Sequence, residues 1–382
     1  MNTDIIIIQN YWQTHYKIML FNAFHEIFPH FKVLYLAEIA RMREWRVLGE
    51  KLNFPYDVIF EGRLDDVNPL KAALAIHRRL NLYNPKIVII GGYNYFFYWT
   101  AFFWARGKKK KLMVINESHF LDKPRSKIKE SIKKFFVSKC DAALVDGTRH
   151  RDYTVRLGLE SEKIFIKQGP GPVDVPFYKR QVSRFRSNKL KLCDKLGFSH
   201  KNFLFVGRFS PEKNILFLIR VYERLRKDGA EDWGLILIGN GPQRGEIENF
   251  VSKNKIKDIY LPGFKQQEEL PLFYAISDVF VLPSVSEPWG LVVNEAMASS
   301  LPVLVSKRCG CYPDIVHDGK NGFSFDPRNE DELFSLMNNI VGGGYNLDVM
   351  GKASFEIIQE FTPDRAARMY VKAINFVLSR DD

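Results

Sequence analysis

The chain has 382 residues, 46% hydrophobic and 26% charged, with a formal net charge of +12 at pH 7. At about 150 residues per domain this predicts two or three domains, and the composition excludes disorder, collagen and coiled coil as descriptions of the whole. The four cysteines (Cys140, Cys193, Cys309, Cys311) have no repeated Cys-x-x-Cys spacing, which argues against a disulfide scaffold or zinc module and for a reducing cytosol.

The chain opens with Met1-Asn2-Thr3-Asp4 and then four isoleucines. With no basic segment and no small-residue cleavage site ahead of it, this run reads as a first strand, not a signal peptide. Further β-branched runs predict strands at 32–36, 57–60, 86–90, 111–115 and 142–145. Helical patterns fall between them at 16–28, 69–83, 95–105, 125–138 and 148–157. The stretch 87–105 is uncharged, which invites a membrane-span reading. Its β-branched part stops at Gly91-Gly92, so strand, glycine turn and buried helix is the better description. By the same reasoning the aromatic stripe between Tyr93 and Trp104 reads as core.

The positive charge is concentrated. Residues 107–139 hold eleven lysines and arginines against Glu117, Asp122 and Glu130, a net of +8. Such a window fits nucleic acid, anionic membrane, a phosphorylated substrate or mere solubility. Within it, Ile128, Ile132, Phe135 and Phe136 have helical spacing among lysines. That suits a helix lying on a bilayer and, equally, a helix packed on a sheet.

Gln168-Gly169-Pro170-Gly171-Pro172-Val173-Asp174 interrupts the alternation and marks a linker. The pattern then restarts, with strands at 203–206, 235–238, 259–261, 279–282, 302–305 and 322–325. A last helix, 363–378, has Thr362 as N-cap and Pro363 at its first position. Strand–helix alternation implies parallel sheets covered on both faces. The expected architecture is therefore α/β, with two doubly wound Rossmann-like domains facing a cleft. Residues 1–170 form the first domain and 171–362 the second, followed by the helical segment 363–382. Ligands are expected beyond the carboxyl ends of the strands.

The richest segment runs from Ser284 to Ala298. Glu287 falls on a strand-to-helix loop and Glu295 inside the helix that opens near Gly290. The free amides of Gly290 and Leu291 make a phosphate site. Beside it, two carboxylates make sense as acceptors for sugar and ribose hydroxyls. Arg208 and Lys213, after a strand and Gly207, supply cations for a diphosphate. Gly239-Asn240-Gly241-Pro242 is a further strand-end turn that allows close backbone approach. Cys309-Gly310-Cys311 and Asp65-Asp66 lack the further ligands that a metal site needs.

These motifs resemble the C-terminal domain of the retaining glycosyltransferases of family 4 (glycosyl transferases group 1), which have the two-domain GT-B fold. The two glutamates separated by seven residues, Glu287 and Glu295, are the family signature. Gly207-Arg208…Lys213, Gly239-Asn240-Gly241-Pro242 and Pro262-Gly263-Phe264 also match. The resemblance implies that Arg208 and Lys213 bind the donor diphosphate, Glu295 the ribose and Glu287 the transferred sugar. The amides of Gly290, Leu291 and Val292 would hold the distal phosphate, with Gly263, Phe264 and Lys265 near the nucleobase.

The first half departs from the family pattern. Where a glycine-rich loop is usual, residues 9–16 contain no glycine, and Tyr11 and His15 fit an acceptor pocket instead. Glu117 and His119 follow the strand 111–115, where the family often has an active-site histidine. The chain is thus expected to be a UDP- or GDP-sugar-dependent hexosyltransferase that needs no cofactor and no metal. Its acceptor would be a glycan or lipid-linked hydroxyl, and its location cytoplasmic, with peripheral contact at the inner face of an anionic membrane. A sugar-nucleotide epimerase or hydrolase would share the donor site. A basic protein that binds or glycosylates nucleic acid is the rival from another class, though no nucleic-acid motif accompanies the charge.

Overall fold

The computed structural model describes residues 4–12, 14–39 and 51–380. Gln13, part of the run read at the end of the first strand, and residues 1–3 lie outside the described residues. The chain divides into two compact units: Met1–Phe120 with Pro124–Pro172 and Phe361–Asp382, and Val173–Glu360 with Leu121–Lys123.

The first unit is built on seven parallel strands: β1 (Ile5–Tyr11), β2 (Phe31–Ala37), β3 (Tyr56–Val58), β4 (Ile87–Ile90), β5 (Lys111–Asn116), β6 (Ala142–Val145) and β7 (Ile164–Ile166). Their order is β3-β2-β1-β4-β5-β6-β7. The isoleucine run shows why this sheet forms. Ile6 and Ile8 enter one buried cluster while Ile5 and Ile7 enter another, because successive side chains of a strand point to opposite faces. A continuous apolar run is what a strand covered on both sides requires.

The first cluster is completed by the helix Phe96–Gly107, through Phe97, Tyr98, Ala101, Phe102 and Trp104. Residues 87–105 are thus a four-residue strand and the body of a twelve-residue helix. No described helix is long and apolar enough to cross a membrane. The second cluster is covered by the helix Pro363–Leu378, whose Ala366, Ala367, Tyr370, Ala373, Ile374 and Val377 repeat at helical spacing. That helix starts where its sequence requires: Thr362 Oγ1 accepts from the Arg365 amide at 3.2 Å, and Pro363 occupies the first turn. Each fully buried aliphatic or aromatic side chain here contributes about 1.5–3 kcal/mol.

The second unit has six parallel strands: β8 (Lys201–Val206), β9 (Trp233–Ile238), β10 (Ile259–Gly263), β11 (Val279–Leu282), β12 (Val303–Ser306) and β13 (Gly322–Phe325). Their order is β10-β9-β8-β11-β12-β13. Chain order reverses between β8 and β11, so the loops leaving those two strands diverge to opposite faces and leave a crevice at their carboxyl ends. In the first unit the reversal lies between β1 and β4.

Beyond the expected elements, the structure adds β7 and the helices Val175–Arg186 and Lys189–Leu196. The three residues of β7 are too few to carry a periodicity. The strand expected at 57–60 is Tyr56–Val58.

Candidate active site

Arg208 and Lys213 lie on the loop leaving β8, and Glu287 on the loop leaving β11, so both cations and one carboxylate meet at the reversal of the second sheet. One backbone bond and the Asn214 side chain hold these loops in place. The Val285 amide donates to the Glu212 carbonyl at 2.9 Å, and Asn214 Nδ2 donates to the carbonyls of Pro283 and Pro327 at 3.2 and 2.8 Å. This brings Lys213 Nζ into hydrogen-bonding contact with Glu287 Oε2. Burial disfavours the Lys213 charge, yet Glu287 outweighs it and holds the ammonium above its usual range. A charged lysine is thus kept at a largely desolvated point beside a carboxylate. Arg208 is half-buried on the same loop.

The Glu287 loop is fixed from its other side. The amides of Gly310 and Cys311 donate to the carbonyls of Glu287 and Trp289 at 3.0 and 3.1 Å. Cys309 and Cys311 are both buried, and through those two amides the Cys-Gly-Cys run clamps this loop. Trp289 is buried, its indole donating to Asn294 at 3.0 Å. Gly290 then turns at φ 100°, a conformation glycine adopts without strain. It opens the helix Leu291–Ala298, whose first turn carries the amides of Leu291 and Val292. First-turn amides have no intrahelical acceptors and face an anion favourably.

Glu295 lies one turn further on. Tyr274 Oη donates to its Oε2 at 2.8 Å, so one oxygen is held by a buried phenol. Tyr274 is a positioning residue that sequence reasoning missed, since a tyrosine in an apolar helix looks like core.

Gly239 and Gly241 sit at points of close backbone approach. A Cβ on Gly239 would sit 1.9 Å from the Gly207 carbonyl oxygen, and one on Gly241 2.4 Å from that of Phe209. The close backbone approach that glycine allows is to the β8 loop itself. Phe209 donates to the Asn240 carbonyl at 2.8 Å, and Gly239 to that of Gly263 at 3.0 Å. The loops after β8, β9 and β10 are laced edge to edge. Gly239→Ala is therefore expected to force the Arg208 loop aside, lowering the thermal midpoint and costing about 2 kcal/mol or more. An unchanged melt would show that the lacing contributes nothing. Gly263 ends β10, followed by the half-buried Phe264 and by Lys265, which pairs with Glu269 at 3.5 Å.

In the first unit the strand ends carry a buried polar cluster. Glu117, just past β5, lies 3.2 Å from Lys17 and 3.9 Å from Lys167. Burial works against the Glu117 charge, but the two ammonium groups hold its carboxyl below the usual range. Lys167 and Asp146, just past β7 and β6, form an ion pair at 2.5 Å with both side chains 1% exposed. Burial pushes the Asp146 carboxyl up to about 6, with Lys167 pulling the other way. His119 is fully buried, its ring 5.3 Å from that of His150. Tyr11 ends β1 and His15 opens the helix His15–Ile27, both half-buried. Lys17, Asp146, His150 and Lys167 were not anticipated. The signal was present at Asp146 and Lys167, where a charged residue ends an apolar run. Among the described residues no group of three or more His, Cys, Asp or Glu is placed to hold a metal ion. Asp65 and Asp66 belong to a single 3-10 turn.

Comparison with known proteins agrees with this geometry. Residues 194–354 match the family described as glycosyl transferases group 1. The chain is 30% identical over 244 residues to the alpha-monoglucosyldiacylglycerol synthase of Acholeplasma laidlawii, covering 62% of this chain and 58% of that protein. It is 33% identical over 182 residues to the sulfoquinovosyl transferase SQD2 of Arabidopsis thaliana, covering 47% and 34%. The matches therefore span less than two thirds of these relatives' lengths. In fold, the chain resembles Anabaena Alr3699/HepE, solved in complex with UDP and glucose, with a TM-score of 0.74 at 16% identity over 98% of this chain and 99% of that one. The sucrose-phosphate synthase of Thermosynechococcus elongatus gives 0.75 at 17% over 99% of both chains. The fold is GT-B, and within the second unit residues 194–354 resemble glycosyl transferases group 1.

Proposed function

We propose that this chain, whose residues 194–354 match glycosyl transferases group 1, moves a hexose from a nucleotide-diphosphate sugar to an acceptor hydroxyl. The observation that carries the reading is Lys213 held charged against Glu287 at the sheet reversal, next to the free amides of the helix Leu291–Ala298. Departure of the nucleoside diphosphate builds negative charge on its distal phosphate. Arg208, Lys213 and those amides are fixed where they stabilise it, so little reorganisation is needed as the bond breaks. Glu287 takes a sugar hydroxyl, and Glu295, oriented by Tyr274, takes the ribose. No nucleophilic carboxylate is assigned to the far face of the sugar, so retention of configuration proceeds by attack from the face the diphosphate leaves.

One relative is named as a monoglucosyldiacylglycerol synthase, which supports a lipid-linked or glycan acceptor reached from the cytoplasmic face of a membrane. On this reading Glu117, His119, Tyr11 and His15 serve the acceptor side. The rival readings, an epimerase or hydrolase on the same fold, differ in needing no acceptor. A thermal-shift panel of UDP- and GDP-sugars, followed by product analysis with and without acceptor, decides between them. Stabilisation by one sugar nucleotide and acceptor-dependent release of nucleoside diphosphate are expected. Acceptor-independent turnover at the same rate would overturn the transferase reading.

Metal independence is part of the proposal, because cationic side chains and amides already neutralise the diphosphate. Turnover is expected to survive EDTA with little change. Complete loss in chelator, restored by magnesium or manganese, would overturn it.

A further inference from the structure

The basic window 107–139, which lies in the first unit apart from Leu121–Lys123, is one-sided in a way that composition does not reveal. None of its three acids is fully exposed. Glu117 is paired with Lys17, Asp122 is buried, and Glu130 is engaged by Lys133 at 2.7 Å, by Arg125 at 3.4 Å and by the Tyr153 hydroxyl at 2.7 Å. Lys108, Lys109, Lys123, Lys127, Lys129, Lys134 and Lys139 are exposed, with no exposed acid among residues 107–139.

The helix Lys127–Val137 buries only Phe136 and Val137. Its other large apolar side chains face outward: Ile128 is 74% exposed, Ile132 50% and Phe135 50%. The three follow one another at i, i+4 and i+7, forming a single stripe. The neighbouring helix Phe96–Gly107 extends it. Phe102 contacts Phe135 at 6.0 Å and Phe103 at 5.2 Å between ring centroids, and Phe103 is itself 58% exposed. Four large exposed apolar side chains thus stand on these two neighbouring helices, joined beneath by the buried Phe102 and fringed by lysines.

We propose that this two-helix face seats on an anionic bilayer, with Phe103, Ile128, Ile132 and Phe135 at the level of the headgroup–acyl boundary and the lysines against anionic headgroups. Charge complementarity and the apolar stripe together select this occupant. A nucleic acid would use the lysines but leave the aliphatic stripe in water, and a helix packing on its own sheet would not expose Ile128. The inference deepens the glycosyl-transfer reading by naming the surface where a lipid-linked acceptor is met. Lys133, held by Glu130, is not part of the contact.

The test is flotation of the full chain with phosphatidylcholine vesicles, with and without phosphatidylglycerol, in the absence of donor and acceptor. Wild type is expected to float only with the anionic vesicles, and less so as salt rises. Lys127→Gln/Lys129→Gln/Lys134→Gln is expected to weaken binding on the order of 100-fold. Ile128→Ser/Ile132→Ser/Phe135→Ser should still bind weakly at low salt and lose binding at physiological salt. All altered positions are exposed, and unchanged melting curves establish that the variants fold. Wild type left in the soluble fraction at low salt, or both variants floating like wild type, overturns the proposal. So does tight, salt-sensitive binding to duplex or single-stranded nucleic acid that only the lysine variant loses. Flotation without sugar transfer would overturn the enzymatic reading and leave this surface standing.

Discussion

Lys213→Ala is expected to lower kcat/KM for sugar-nucleotide turnover on the order of 100- to 1,000-fold, about 3–4 kcal/mol of transition-state stabilisation. The same change leaves Glu287 without its cation, in a place where that carboxylate is 11% exposed. A loss of stability of about 1–3 kcal/mol should therefore accompany the loss of activity. The two effects can be separated. Lys213→Met/Glu287→Gln removes both charges while keeping side-chain volume, and replacing a buried ion pair by neutral groups is often near neutral for folding. The double variant is expected to melt close to wild type and to remain inactive. If it regains near-wild-type kcat/KM, the pair is a structural ion bridge and the donor site lies elsewhere.

The elements that position this site were largely legible in the chain. A β-branched run ended by glycine and then a charged residue, as at Val206-Gly207-Arg208, encodes both a buried parallel strand and the loop where a ligand can be met. Twelve of the strands fall on short apolar runs visible in the chain. β7 was not legible, because three residues give no period and its pairing with β6 is a tertiary fact. The two glutamates were legible by spacing. That Lys213 and Glu287 are each other's partner was not, since it depends on the Val285–Glu212 link between loops 74 residues apart. The glycines after β9 were noticed for the right property, close backbone approach, but only packing reveals that Gly207 and Phe209 are what approach them. The helix Lys127–Val137 was ambiguous for a physical reason. Periodicity locates an apolar face without saying whether protein covers it, and only Phe136 and Val137 turn out to be covered.

The strand-end cluster of the first unit yields the second large effect. Lys167→Met is expected to cost about 3–5 kcal/mol at pH 7, because it takes from the buried Asp146, beside Glu117, the ammonium that pairs with it directly. The ammonium also donates to the Gly169 carbonyl at 2.7 Å, so the change frees the start of the 168–172 segment as well. The pH dependence distinguishes charge from packing. In wild type burial raises the Asp146 carboxyl to about 6 even with Lys167 pulling it down, so removing Lys167 raises it further. An acid whose folded-state value lies above its unfolded one contributes stability that is complete below the unfolded value. That contribution is lost as pH rises through the folded value. The deficit of the variant should therefore be largest at neutral pH and above, and shrink toward pH 5 as Asp146 takes up a proton. Thermal melts of both proteins in parallel at pH 5, 6, 7 and 8 measure it, with the titration of groups remote from Lys167 cancelling in the difference. A gap of constant size across that range would mean that Lys167 acts through its packed stem and its bond to Gly169, not by compensating a buried carboxylate.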